Sequence, residues 1–128
     1  MSFLVERYSD KPIVLSRTLE DYDMAAEQMA IQEAVKQHLD SAEEKLFYII
    51  DLSHTKFDFQ ALLTGTNLAA RMDTSTWRHE NVRELIFISP EPIIHRISHG
   101  MNSQAFGYLQ SIVFDTMEDA LAYIDEKL

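Results

Sequence analysis

Two apolar runs limit the folds open to this chain: LFYIIDL (Leu46 to Leu52), broken only by Asp51, and LIFI (Leu85 to Ile88) within RELIFIS, Arg83 to Ser89. A run this short, flanked by polar segments and rich in Ile and Phe, predicts a strand buried on both faces, as the central strands of a parallel sheet are. Parallel neighbours need crossover connections, and the intervening segments are long enough to be helices.

The flanking segments complete an alternating pattern. FLVERY (Phe3 to Tyr8) alternates apolar and polar residues, SDK makes a turn, and PIVLSRTL (Pro12 to Leu19) reads as a second strand, so the two predict a hairpin. Pro12 suits a strand start, where its missing N–H does no harm. From about Asp21 to Asp40 helix formers dominate, and Ile31, Val35 and Leu39 recur every fourth position. A second helix is predicted from Asp58 to about Arg71, with Asp58 as N-cap and Phe57 and Leu62 as a hydrophobic staple. TSTWRHEN connects it to the strand at Arg83 to Ser89. The Pro90-Glu91-Pro92 turn starts a third helix that Gly100 is expected to end. LQSIVF (Leu109 to Phe114) is the last strand. Thr116 and Asp119 are spaced as a capping box for a final helix, with Met117, Ala120, Leu121, Ile124 and Leu128 on one face. The expected fold is therefore α/β: a mixed, mostly parallel five-stranded sheet with an N-terminal antiparallel hairpin and four helices.

At 128 residues the chain suits a single domain, 1–128, able to bury a core without staples. No apolar run reaches the roughly 18 residues that span a bilayer, so no membrane insertion is expected. MSFLVERYSD lacks the basic flank and apolar core of a signal peptide. The absence of cysteine fits a reducing cytoplasm. A formal net charge of -10 opposes binding to nucleic-acid phosphates and anionic lipid surfaces.

Three segments together resemble the STAS domain, the fold of bacterial anti-sigma factor antagonists and sulphate-transporter tails: FYIIDLSHTKF leading into a helix, NVRELIFIS after that helix, and VFDTMEDALAYI. The element order agrees over nearly the whole chain. In that family the strand is followed by Asp-Leu-Ser, a few residues, Phe, an acidic residue, and a Ser that a partner kinase phosphorylates. This chain keeps Asp51, Leu52, Ser53, Phe57 and Asp58, but places Gln60 or Ala61 at the acceptor position. Neither side chain accepts phosphate, so the resemblance supports the fold without the phosphorylation switch.

The candidate contact surface is the loop beyond the carboxyl end of the buried strand, where ligands and partners meet open α/β sheets. Its residues are Ser53, His54, Thr55, Lys56, Asp58 and Gln60, with His54, Thr55 and Lys56 expected at the tip. Asp51 and Ser53 either contact a ligand or hold the turn through backbone groups. His95 and His99, four apart on one helix face, match metal spacing, but HRISH lacks a catalytic Glu and no cluster of carboxylates lies nearby, so no metal is expected. Trp77, Arg78, His79 and Arg83 either form a cationic, aromatic patch or serve structure, Trp77 closing the core and the arginines pairing with Glu80 and Glu84.

The leading functional expectation is a non-enzymatic, cytoplasmic regulatory domain of the STAS-like class that docks a protein partner through this loop. No catalytic residue and no cofactor are assigned. The alternative is a small-molecule or lipid-binding module of the same fold, holding a small apolar ligand between the sheet and the Asp58 to Arg71 helix. A hydrolase or transferase using His54 or His95 ranks third. Homo-oligomers are compatible with the sequence, which leaves the oligomeric state open.

Overall fold

The computed structural model describes residues 2–8, 10–55, 76–101 and 111–128. Five strands form one sheet: β1 (Phe3–Arg7), β2 (Ile13–Thr18), β3 (Leu46–Asp51), β4 (Val82–Ile88) and β5 (Ser111–Phe114). Three helices are described, α1 (Met24–Asp40), α2 (Pro92–Met101) and α3 (Met117–Lys127), with a short 3-10 turn at Thr76–Arg78. The helix expected from Asp58 to Arg71 lies outside the described residues.

Strand order follows chain order, β1-β2-β3-β4-β5. The β1–β2 hairpin is antiparallel and every later pairing is parallel, as the sequence pattern predicts. Right-handed crossovers that always step in one direction place their helices on one face of the sheet. Accordingly Ile31, Val35 and Leu39 of α1 and Ile94 of α2 pack with Val14, Tyr48, Ile50, Leu85 and Phe87. The chain makes no further crossover after β5, and α3 covers the opposite face, setting Ala120 and Ile124 against Ile86, Ile88, Phe47, Ile49, Ile13 and Leu15. All six residues of β3 are buried, so this strand carries side chains of both cores. Among the described residues Tyr48 is the largest fully buried side chain. Its hydroxyl lies 3.4 Å from Ser16 Oγ and also bonds Thr76, and burial raises its phenol above the ordinary value.

Local chemistry sets the helix ends. The first helix begins at Met24 rather than Asp21 because Asp23 is its cap: Asp23 Oδ1 accepts the Ala26 N–H at 3.3 Å, and Glu27 Oε2 reaches back to the Asp23 N–H at 2.8 Å. Beside that cap, burial and then the Glu27 carboxylate push the Tyr22 phenol up to about 12. Thr116 caps α3 as expected, accepting the Asp119 N–H at 3.2 Å. Gly100 does not end its helix: α2 continues through it to Met101. A glycine inside a helix weakens it by about 1 kcal/mol without compelling a stop.

Candidate functional site

The carboxyl edge of the parallel strands is organised by one charged residue from each of two neighbours. Within IVLSRT the charged residue is Arg17, and within LFYIID it is Asp51. The parallel register aligns Ile13 with Phe47, so Arg17 falls opposite Asp51 on the same face. Arg17 Nε donates to Asp51 Oδ2 at 2.8 Å, with the aspartate side chain 3% exposed and the arginine 27%. The other oxygen, Asp51 Oδ1, accepts the Ser53 N–H at 3.0 Å and the Ser53 hydroxyl at 2.5 Å, closing a turn of the kind Asp favours. Burial acts to raise the Asp51 carboxyl, but the Ser53 side-chain and backbone bonds and the Arg17 guanidinium outweigh it, and the net shift is downward. Asp51 therefore ends a buried strand because two elements satisfy it. Its carboxylate is a structural anion, held away from solvent.

The turn presents Ser53 and His54 to solvent. His54 is half exposed, with Nε2 3.7 Å from Asp51 Oδ2, so its charged form would add to the same carboxylate. Thr55 does not sit at an exposed tip as the sequence suggests, because it is only 7% exposed. Its hydroxyl meets Thr18 Oγ1 at 2.8 Å and donates to the Leu19 carbonyl at 2.7 Å, drawing the loop back onto the end of β2. The partners lie 36 and 37 residues away in sequence, so no local pattern announces them. Lys56, Asp58, Gln60 and Ala61 lie outside the described residues.

A second cluster stands farther along the same edge. His95 Nε2 lies 3.1 Å from the Ser89 carbonyl and 3.0 Å from Asp115 Oδ1, and two acceptors at one nitrogen place the ring proton there. His95 thereby links the first turn of α2 to the ends of β4 and β5. The His99 side chain is outside the described residues. Among those residues no group of three or more His, Cys, Asp or Glu is placed to hold a metal ion.

The Trp77 to Arg83 segment takes mainly structural roles, with the Arg78 side chain outside the described residues. Trp77 packs edge-on against Phe87, ring centroids 5.4 Å apart. Instead of pairing with Glu84, Arg83 lies 4.8 Å over the Phe47 ring and donates to the Lys127 carbonyl at 3.3 Å. Glu84 accepts the Tyr123 hydroxyl at 2.9 Å. Both side chains thus reach α3, Arg83 at Lys127 and Glu84 at Tyr123.

Sequence reasoning missed Arg17, although a signal was present: two buried strands each carry one charge, of opposite sign, at the same step along a parallel register. It also missed that His79 and Asn81 organise the opposite edge.

No protein-family model matches the chain, and no curated protein matches it in sequence. Solved structures do match its fold. An uncharacterised protein with a SpoIIAA-like fold from Shewanella loihica superposes with a TM-score of 0.57 at 13% identity, covering 95% of this chain and 91% of that one. An anti-sigma factor antagonist from Mycobacterium paratuberculosis superposes with a TM-score of 0.50 at 19% identity, covering 96% and 92% respectively. The chain has the STAS-like, SpoIIAA-like fold: a mixed five-stranded sheet whose first pair alone is antiparallel. Among the described residues no helix is long and apolar enough to cross a membrane.

Proposed function

We propose that the chain is a single, non-enzymatic regulatory domain of the cytoplasm, which docks a protein partner through the carboxyl-edge loop. The observation that carries this reading is the division of labour at Asp51. Its carboxylate is engaged by Arg17 and Ser53, while Ser53 and His54 stand exposed on a turn pinned at Asp51 and again at Thr55. A surface fixed in this way loses little entropy on binding, which suits recognition. The contact surface consists of Ser53 and His54, continued by Lys56, Asp58 and Gln60; Thr55 supports it from within. The likeness to an anti-sigma factor antagonist adds support for a protein partner as the class of ligand. The rival is a small apolar ligand between the sheet and the Asp58 to Arg71 helix, which lies outside the described residues.

The test is to purify the chain from its native host, identify what accompanies it, and measure that protein's affinity for wild type and His54→Ala. The expected result is weaker binding with an unchanged melting temperature. Equal affinity would move the contact surface away from this loop, and a bound small molecule in place of a protein would favour the rival.

A further inference from the structure

The amino edge of the sheet is tied together through one turn. After the 3-10 segment the chain folds back, the His79 N–H donating to the Thr76 carbonyl at 3.2 Å and the Val82 N–H to the His79 carbonyl at 3.0 Å. Three further bonds centre on Asn81. Its carbonyl accepts the Leu46 N–H at 2.7 Å, where β3 begins, and its side-chain amide donates to the Leu39 carbonyl at 2.8 Å, near the end of α1. Its own backbone N–H donates to His79 Nδ1 at 3.0 Å. A ring nitrogen that accepts carries no proton, so in this arrangement the proton sits on Nε2, which donates to Asp40 Oδ1 at 2.7 Å. Two partners from different elements thus fix one neutral tautomer.

We propose that His79 is an acid-operated latch, whose protonation expels the Asn81 N–H and loosens the turn that joins α1 to the starts of β3 and β4. An imidazolium is a donor at both nitrogens, so the charged ring turns an N–H toward the Asn81 N–H and that bond is lost. Imidazole is the side chain that changes charge in the physiological pH range. The charged groups linked to the ring are Asp40, which pairs with Nε2 in either state, and Lys36, whose Nζ lies 2.8 Å from Asp40 Oδ2, with Glu80 next in sequence. Asp40 keeps the ring anchored to α1, so the change falls on Asn81. The segment that follows α1 borders open space: Ser41, Ala42, Glu43 and Glu44, with Arg7 and His38, line a groove of about 520 Å³. The latch lies at the opposite edge from the proposed docking loop and does not depend on it.

The test is nuclear magnetic resonance of the whole chain. At about pH 7.5 the His79 ring nitrogens should report a proton on Nε2 alone. On acidification, protection of the Asn81 amide from hydrogen exchange, corrected for the intrinsic pH dependence, should fall up to about tenfold in step with the ring titration, as expected for one lost hydrogen bond. His79→Asn places a carbonyl oxygen where Nδ1 stands and cannot titrate, so its Asn81 amide should stay protected. A proton on Nδ1 at neutral pH, constant Asn81 protection through the wild-type titration, or the same acid-dependent loss in His79→Asn would overturn the latch. The two wild-type measurements decide the matter even if the variant fails to fold.

Discussion

The two ends of β3 belong to one buried strand, yet they are held by different chemistry. At the carboxyl end a half-buried ion pair in strand register, Arg17 with Asp51, carries a tight turn and leaves Ser53 and His54 facing outward. At the amino end the main ties are neutral: Leu46 meets the Asn81 carbonyl, Asn81 meets Leu39, and an imidazole accepts the Asn81 N–H. The contrast teaches what each edge can do. An ionised pair between adjacent strands fixes the loop that follows it, whereas a tie through a neutral histidine depends on which ring nitrogen carries the proton.

The sharpest way to break this contrast is Asp51→Ala. It leaves the Ser53 N–H and the Arg17 guanidinium without their acceptor, and the expected loss in chemical unfolding is about 1–3 kcal/mol. A loss below about 0.5 kcal/mol, the level of ordinary surface substitutions, would mean that the turn holds itself. Acid should act on the same end. The Asp51 carboxyl lies below its ordinary value in the folded state, so its stabilisation is complete above the unfolded value of about 3.9 and is lost as pH falls through the folded one. Stability measured against pH should therefore drop below about pH 4, and Asp51→Asn should flatten that part of the curve. An unaltered curve in Asp51→Asn would assign the acid loss to other carboxylates.

At the other end Asn81→Ala removes one neutral bond to the Leu39 carbonyl and should cost about 1 kcal/mol. If it costs more than Asp51→Ala, the neutral edge is the stronger one and the comparison is reversed. The smallest stability effect belongs to His54→Ala, expected within about 0.5 kcal/mol because the side chain is exposed. A larger loss would make His54 part of the ionic cluster rather than part of the surface it supports.

The strands were legible because burial on both faces writes itself into local sequence as an unbroken apolar run, and β3 and β4 fall where those runs stand. The Thr116 cap and the Asp51–Ser53 turn were legible for the same reason, since each bond spans two or three residues. Thr55 was misplaced because its bonds reach the far end of β2, and the Arg83 partners were misplaced because Phe47 and Lys127 lie far from it in the chain. His79 could not be read as a hydrogen-bond acceptor for Asn81, because a ring tautomer is set by neighbours in space. The candidate site was thus half visible: its location follows from the strand, but the residue that anchors it, Arg17, comes from a different part of the chain.

A sheet whose strand order follows chain order has a kinetic meaning. The opening hairpin joins strands close in sequence, and each later strand adds beside the one before it, so none must be inserted between partners already joined. Such a chain can assemble by accretion as it leaves the ribosome, with no early pairing to be undone. During that growth the latest parallel strand has one unfilled side, and the apolar run of β3 stays a sticky edge until β4 arrives. Synthesis that pauses after β3 therefore exposes an apolar, unpaired edge to other chains.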